Sequence, residues 1–184
     1  MFTLPFFAMA ESTSYKNYIK KNMVVQSNVE PFSVSVSDNT VICYNGARLL
    51  SGEKYNESGM VLYTEEESAF DLKINVPFSG LYNISVEYYP VEGRGQDIRR
   101  AFYIDGNIPF IEAQSINFSR IWVDDGDIKQ DVLGNDLYTN QIQTPEWTVE
   151  YLNDSNMFYN NPFAFYLFLR RNVLCTFLLE HNGD

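Results

Sequence analysis

Asn75-Val76-Pro77-Phe78-Ser79-Gly80-Leu81-Tyr82-Asn83-Ile84-Ser85-Val86-Glu87-Tyr88-Tyr89-Pro90 is the stretch that decides how this chain folds. On its N-terminal side Leu72, Ile74 and Val76 alternate with Asp71, Lys73 and Asn75. On its C-terminal side Tyr82, Ile84, Val86 and Tyr88 alternate with Asn83, Ser85 and Glu87. A period of two is the mark of strands with one buried face. Pro77, Ser79 and Gly80 supply a turn between them. The stretch therefore predicts an antiparallel β-hairpin of the kind that builds a sandwich.

The pattern continues in both directions. Strands are expected over residues 32–36, 40–44, 60–64, 69–76, 98–104, 147–151, 163–169 and 173–179, with residues 110–123 mostly extended. Asp38-Asn39, Asn45-Gly46 and Asp105-Gly106-Asn107 mark turns. Short strands with turn signals at this spacing indicate an all-β, antiparallel β-sandwich domain over residues 32–184. Polar loops fall at 51–59, 91–97 and 153–162, and residues 124–144 form a long aperiodic segment of the sort that is functional or disordered. Residues 11–31 read as a linker, in which a short helix can start with Ser12 or Ser14 as cap. Residues 1–10 resemble the end of a secretory signal, with an apolar run and Ala8-Met9-Ala10 as a small-x-small cleavage pattern, so an exported, extracellular or cell-surface protein is expected.

Composition narrows the function. The chain has 184 residues, 45% hydrophobic and 16% aromatic, enough for a real core. Its net charge of −11 and pI near 4.5 argue against nucleic acid, which needs clustered Lys and Arg, and against docking on anionic lipid. No stretch is long and apolar enough to insert into a membrane. A neutral ligand or a divalent cation fits better. His181 is the single histidine, which leaves little room for Ser-His-Asp, Cys-His or His-rich metal chemistry. Cys43 and Cys175 are too few for a four-ligand zinc site; they read as free thiols on buried strand faces, with a disulfide as the alternative in an exported chain.

Gly93-Arg94-Gly95 lacks the Gly-x-x-x-x-Gly-Lys pattern of a phosphate cradle and reads as a flexible connection. Asp124, Asp125, Asp127 and Asp131 could offer oxygen ligands to a hard cation such as calcium, although the spacing is not that of an EF-hand and a solvated acidic loop is the better account. The aromatic residues are the stronger lead. Trp122, Tyr138, Trp147, Phe158 and Tyr159 lie in or beside irregular segments, and aromatic faces stack on sugar rings while Arg94, Arg120, Asn135 and Asp136 could bind hydroxyls. Such sites sit on loops carried by a rigid scaffold. Alternatively, both tryptophans fill the core, as a strand Trp in a sandwich often does.

Several of these motifs occur in one order: residues 70–90, then Glu87-Tyr88-Tyr89-Pro90-Val91-Glu92-Gly93, residues 102–110, Arg120-Ile121-Trp122, Gly134-Asn135-Asp136, Pro145-Glu146-Trp147 and residues 163–167. Together they resemble galactose-binding-like jelly rolls such as carbohydrate-binding module families six and thirty-five. They are more similar still to the N-terminal β-sandwich of large bacterial extracellular solute-binding proteins of sugar ABC transporters. The resemblance implies a jelly-roll module that recognises carbohydrate without chemistry of its own. Its partners would be a transporter solute-binding domain or membrane permease complex. Calcium often braces such modules, but their usual ligands do not map onto this sequence residue by residue, and no cofactor is required. The similarity stops after about residue 167, where a charged glycine turn is expected and Phe168-Leu169-Arg170-Arg171-Asn172 stands instead, which suggests a truncated or frame-shifted end. Two other functions fit the same residues: a structural spacer or protein-interaction sandwich without a sugar site, and, less well, an acidic glycoside hydrolase with paired carboxylates.

Overall fold

The computed structural model describes residues 13–23 and 31–178. The signal-like residues 1–10 and His181 lie outside them. The described chain is mostly β. Its strands are β1 (Val41–Tyr44), β2 (Arg48–Ser51), β3 (Met60–Tyr63), β4 (Ala69–Val76), β5 (Gly80–Asn83), β6 (Ser85–Tyr88), β7 (Ile98–Ile104), β8 (Ile116–Phe118), β9 (Trp122–Asp124), β10 (Lys129–Gln130), β11 (Asp136–Leu137), β12 (Gln141–Gln143), β13 (Thr148–Tyr151), β14 (Ala164–Leu167) and β15 (Arg170–Leu178). One α-helix, α1 (Tyr15–Asn22), precedes them. The expected strand over 32–36 is irregular chain without ladder bonds.

An antiparallel five-stranded sheet runs in the order β1-β4-β15-β7-β8. The inner strands carry the most apolar faces: Ile74 and Val76 on β4, Phe102 on β7, and Val173, Cys175 and Phe177 on β15. Residues 170–178, where the expected charged glycine turn is missing, thus supply the middle strand of the main sheet.

The stretch that decides the fold does so differently from the expected hairpin. β4 pairs with β1 and β15, whereas β5 pairs with β14 and β6 with β13. Residues 77–79 turn the chain out of one ladder and into another. Both strands bury one face, as their alternation predicts, but the faces meet across the core instead of lying side by side. Asn45-Gly46 does the same: both residues have positive φ, of 50° and 87°, and the turn leads from β1 to β2, which pairs with β3. Asp105-Gly106, by contrast, closes a tight reversal, with Ile104 and Asn107 exchanging backbone bonds of 2.9 and 3.0 Å.

β5 and β6 form one line, and β13 and β14 run antiparallel along it. Between the last two, residues 153–162 leave the line and return. Phe163 N–H donates to Leu152 C=O at 2.9 Å, and the Asn83 amide donates to Pro162 and Phe163 C=O, closing the base of the excursion. Tyr82, Ile84, Val86, Phe165 and Leu167 from this line share one core with Phe102, Phe110, Ile116 and Phe177. Ring contacts such as Phe102–Phe165 at 4.9 Å and Tyr88–Phe118 at 5.2 Å join the two sets of strands. Burial of these aromatics is the main stabilising term, at roughly 2–3 kcal/mol each.

Residues 13–23, expected within a linker, are docked on this body. Tyr15 and Tyr18 pack against the core, and their hydroxyls accept the backbone N–H groups of Ala164 (3.0 Å) and Tyr166 (2.8 Å) along the open edge of β14. Ser14 occupies the N-cap position through its backbone, whose C=O accepts from Asn17 and Tyr18; its side chain makes no cap bond, and the Glu112 carboxylate accepts the Tyr15 N–H at 2.8 Å instead. Cys43 and Cys175 are free thiols, as preferred. They lie on β1 and β15, on either side of β4. Two strand spacings, about 10 Å, exceed the reach of a disulfide.

Candidate functional site

One end of the β6–β13 pair gathers aromatic side chains and three loops. The register of this pair, Thr148 opposite Tyr88, brings Trp147 across from Tyr89. Their rings lie 5.6 Å apart, edge to face, and Tyr55 closes on Tyr89 at 5.2 Å. Tyr55 ends the short 3-10 turn Gly52–Tyr55, whose chain reverses through Asn56 at φ 58°. The indole N–H of Trp147 donates to Tyr55 C=O at 2.8 Å, so its position is set by a bond as well as by stacking. All three rings are half-buried, each keeping part of its surface open to solvent. The ammonium of Lys54 lies 5.4 Å from the Tyr55 ring centre.

The neighbouring loop, residues 91–96, is held rigidly. Arg120 donates to the carbonyls of Val91 and Gln96. The Gln143 amide accepts from Gly93 N–H and donates to Gly93 C=O, both at 2.9 Å. Gly93 must be glycine because a Cβ would come within 2.7 Å of the Arg120 guanidinium, which those bonds hold in place. The expected flexible connection is thus a clamped loop, and Arg120 organises it. Tyr88 donates to Ser119 C=O at 2.9 Å; burial and the adjacent Glu150 push its phenol well above the ordinary range.

The other residues singled out from sequence are scattered. Trp122 begins β9 and is exposed. β9–β12 and β10–β11 make a projecting arm over residues 122–143. Tyr138 lies on it, fully exposed. Asn135 donates through its backbone and its amide to Asp131, and Leu133 N–H does the same, which shapes the arm's tip. These bonds hold the Asp131 carboxyl below the usual carboxylate range. Asp136 accepts from the Gln130 amide at 3.0 Å. Arg94 is exposed, 3.7 Å from Glu66. Tyr159 packs on Tyr15 at 5.0 Å and belongs to the core side of the 153–162 loop.

Asp124, Asp125, Asp127 and Asp131 do not form a cation cage. Among the described residues no three His, Cys, Asp or Glu side chains come together as metal ligands, and the oxygens of Asp131 already take three N–H bonds. A shallow depression lined by Asn75, Val76, Pro77, Leu169 and Arg170 lies elsewhere and contains none of the candidate residues. Among the described residues no helix is long and apolar enough to cross a membrane.

Of the expected site, then, Trp147, Arg120 and Arg94 border the same group of loops. Tyr55, Tyr89 and Gln143 complete that group. Tyr89 carried a signal, since the pair Tyr88-Tyr89 breaks the alternation and puts one ring outside the core; Tyr55 stood as the lone aromatic of a polar loop; Gln143 carried none. No family model, no curated protein and no solved structure matches this chain.

Proposed function

We propose that this chain is a non-catalytic carbohydrate-binding module of a galactose-binding-like, jelly-roll type, carried by an exported solute-binding protein for sugar uptake. The observation that carries the reading is the Trp147–Tyr89–Tyr55 group, three half-open rings beside a clamped polar loop. Ring faces held at fixed angles cover the apolar C–H patches of a pyranose, and preorganisation spares the entropy of ordering them on binding. Gln96 and Arg94 on the adjacent loop, and Asn56 beside Tyr55, are the polar side chains this reading assigns to hydroxyls. The two sets of antiparallel strands around one core agree with a jelly roll. The transporter's solute-binding domain and its permease complex are the partners this reading assigns.

The test is intrinsic Trp fluorescence of the folded chain titrated with mono- and oligosaccharides, with and without calcium. A saturable shift that is lost in Trp147→Phe and kept in Trp122→Phe is expected. A silent titration against a broad sugar panel, on protein shown to be folded, contradicts the reading. It would favour the spacer, which draws on the Trp147 indole bond to Tyr55 as a purely structural contact.

A further inference from the structure

The arm over residues 122–143 is built but uncovered. Its backbone is ordered by two ladders and by the bonds to Asp131 at its tip. Its base is fixed by Gln143 on Gly93. Yet Ile128, Val132, Leu133 and Tyr138 are 61%, 102%, 82% and 106% exposed. A two-stranded ribbon is marginal by itself in water, and contiguous exposed apolar groups mark an interaction surface. The arm is also strongly acidic, with Asp124, Asp125, Asp127, Asp131 and Asp136 against Lys129 alone.

A complementary surface exists on the same molecule. α1 has the sequence YKNYIKKN, so it carries Lys16, Lys20 and Lys21 and no acid, in a chain of net charge −11. All three lysines are exposed. Beside it, joined through the Tyr15–Tyr159 contact, the 153–162 loop presents Met157 and Phe158 at 85% and 82% exposure. This loop is rigid, because the buried Asp154 accepts the N–H groups of Asn156, Phe158 and Tyr159. It holds Met157 at φ 57°, a left-handed conformation that a non-glycine residue keeps only where its surroundings impose it. The molecule thus has an acidic apolar arm and a basic apolar face.

We propose that the arm of one copy docks on the α1 and 153–162 face of a second copy, in a two-fold dimer in which each molecule gives an arm and receives one. A two-fold operator closes both contacts at once, so neither arm nor face is left over. Reciprocal exchange also doubles the buried area, which brings a slender arm within reach of the roughly 800 Å² per partner of a stable interface. The chain's overall acidity disfavours any self-contact that does not use its one basic helix, which selects this pairing over others.

The experiment is sedimentation velocity of the full chain over a concentration series. A reversible dimer is expected, weakened at least about tenfold when salt is raised from 0.05 to about 0.5 M. Lys16→Glu/Lys20→Glu/Lys21→Glu makes arm and face both negative, and Asp124→Lys/Asp125→Lys/Asp127→Lys makes both positive. Asp131 and Asp136 are left alone because they shape the arm. Each triple variant alone is expected to be monomeric, and an equimolar mixture of the two is expected to recover the dimer, because each arm then meets a face of opposite charge. Recovery on mixing cannot come from misfolding, and circular dichroism of each variant confirms its fold. A chain that is monomeric at the highest soluble concentration overturns the proposal and leaves the arm to a different partner. So does a dimer that both variants retain, or a mixture of folded variants that stays monomeric.

Discussion

Asp154 shows how much one side chain can organise. It is a carboxylate only 6% exposed, and its partners are three backbone N–H groups at 2.8–3.2 Å. Removing it leaves those donors turned toward a site that water reaches poorly, which is the costly way to lose a hydrogen bond. Asp154→Ala is expected to destabilise the fold by about 3 kcal/mol in urea unfolding, and Asp154→Asn, which keeps one acceptor oxygen, by less. A change under about 0.5 kcal/mol would show the loop to be held by other means. In sequence this residue is indistinguishable from the exposed Asp124, Asp125 and Asp127. Local composition reports a polar loop, whereas burial depends on contacts with distant parts of the chain, such as the bond that the adjacent Ser155 donates to Ser115 C=O at 2.8 Å.

Strand edges decide the behaviour of the elements. β14 pairs with β5 on one side, and on the other it meets tyrosine hydroxyls instead of a strand. An open edge is a template for unwanted pairing, and α1 blunts it. Tyr18→Phe keeps the ring in the core but strips the acceptor from Tyr166 N–H. A loss of about 1–2 kcal/mol is expected, together with faster hydrogen exchange at the Tyr166 amide. Unchanged exchange at that amide would mean that the hydroxyl does not protect the edge. The helix itself was legible, through Ser14 as a cap. Its docking was not, because the partner N–H groups lie nearly 150 residues away. The corner at 77–79 teaches the same lesson: alternation reports that a strand has one buried face and is silent about which strand lies beside it.

The molecule as a whole is set against alkali. Burial pushes the Cys175 thiol from 9.0 up to about 12 and raises the phenols of Tyr15, Tyr18 and Tyr88. In each case the folded state holds its proton to higher pH than the unfolded chain does. Stability is therefore complete below about pH 9 and falls as pH rises from there towards 12, where the unfolded chain has released protons that the folded one keeps. Urea midpoints are expected to hold level up to about pH 9 and to decline steadily from there to pH 11. A flat profile would show that these groups are solvated in the native state. The same burial makes Cys175 inert to thiol reagents until the chain unfolds, while the more accessible Cys43 reacts first.

By itself the sequence determined the all-β class, most strand positions and the turns at Asn45-Gly46 and Asp105-Gly106. Each of these is written in local periodicity or in residues that tolerate positive φ. The expectation of an aromatic site was local too, and it named Trp147. Tertiary structure alone decided which strands pair, that residues 170–178 form the middle strand of the main sheet, that Arg120 clamps a loop, and that Tyr55 and Tyr89 stand beside Trp147. Those outcomes depend on contacts between residues tens to more than a hundred positions apart, and such contacts are chosen by the packing of the whole core rather than by any one segment.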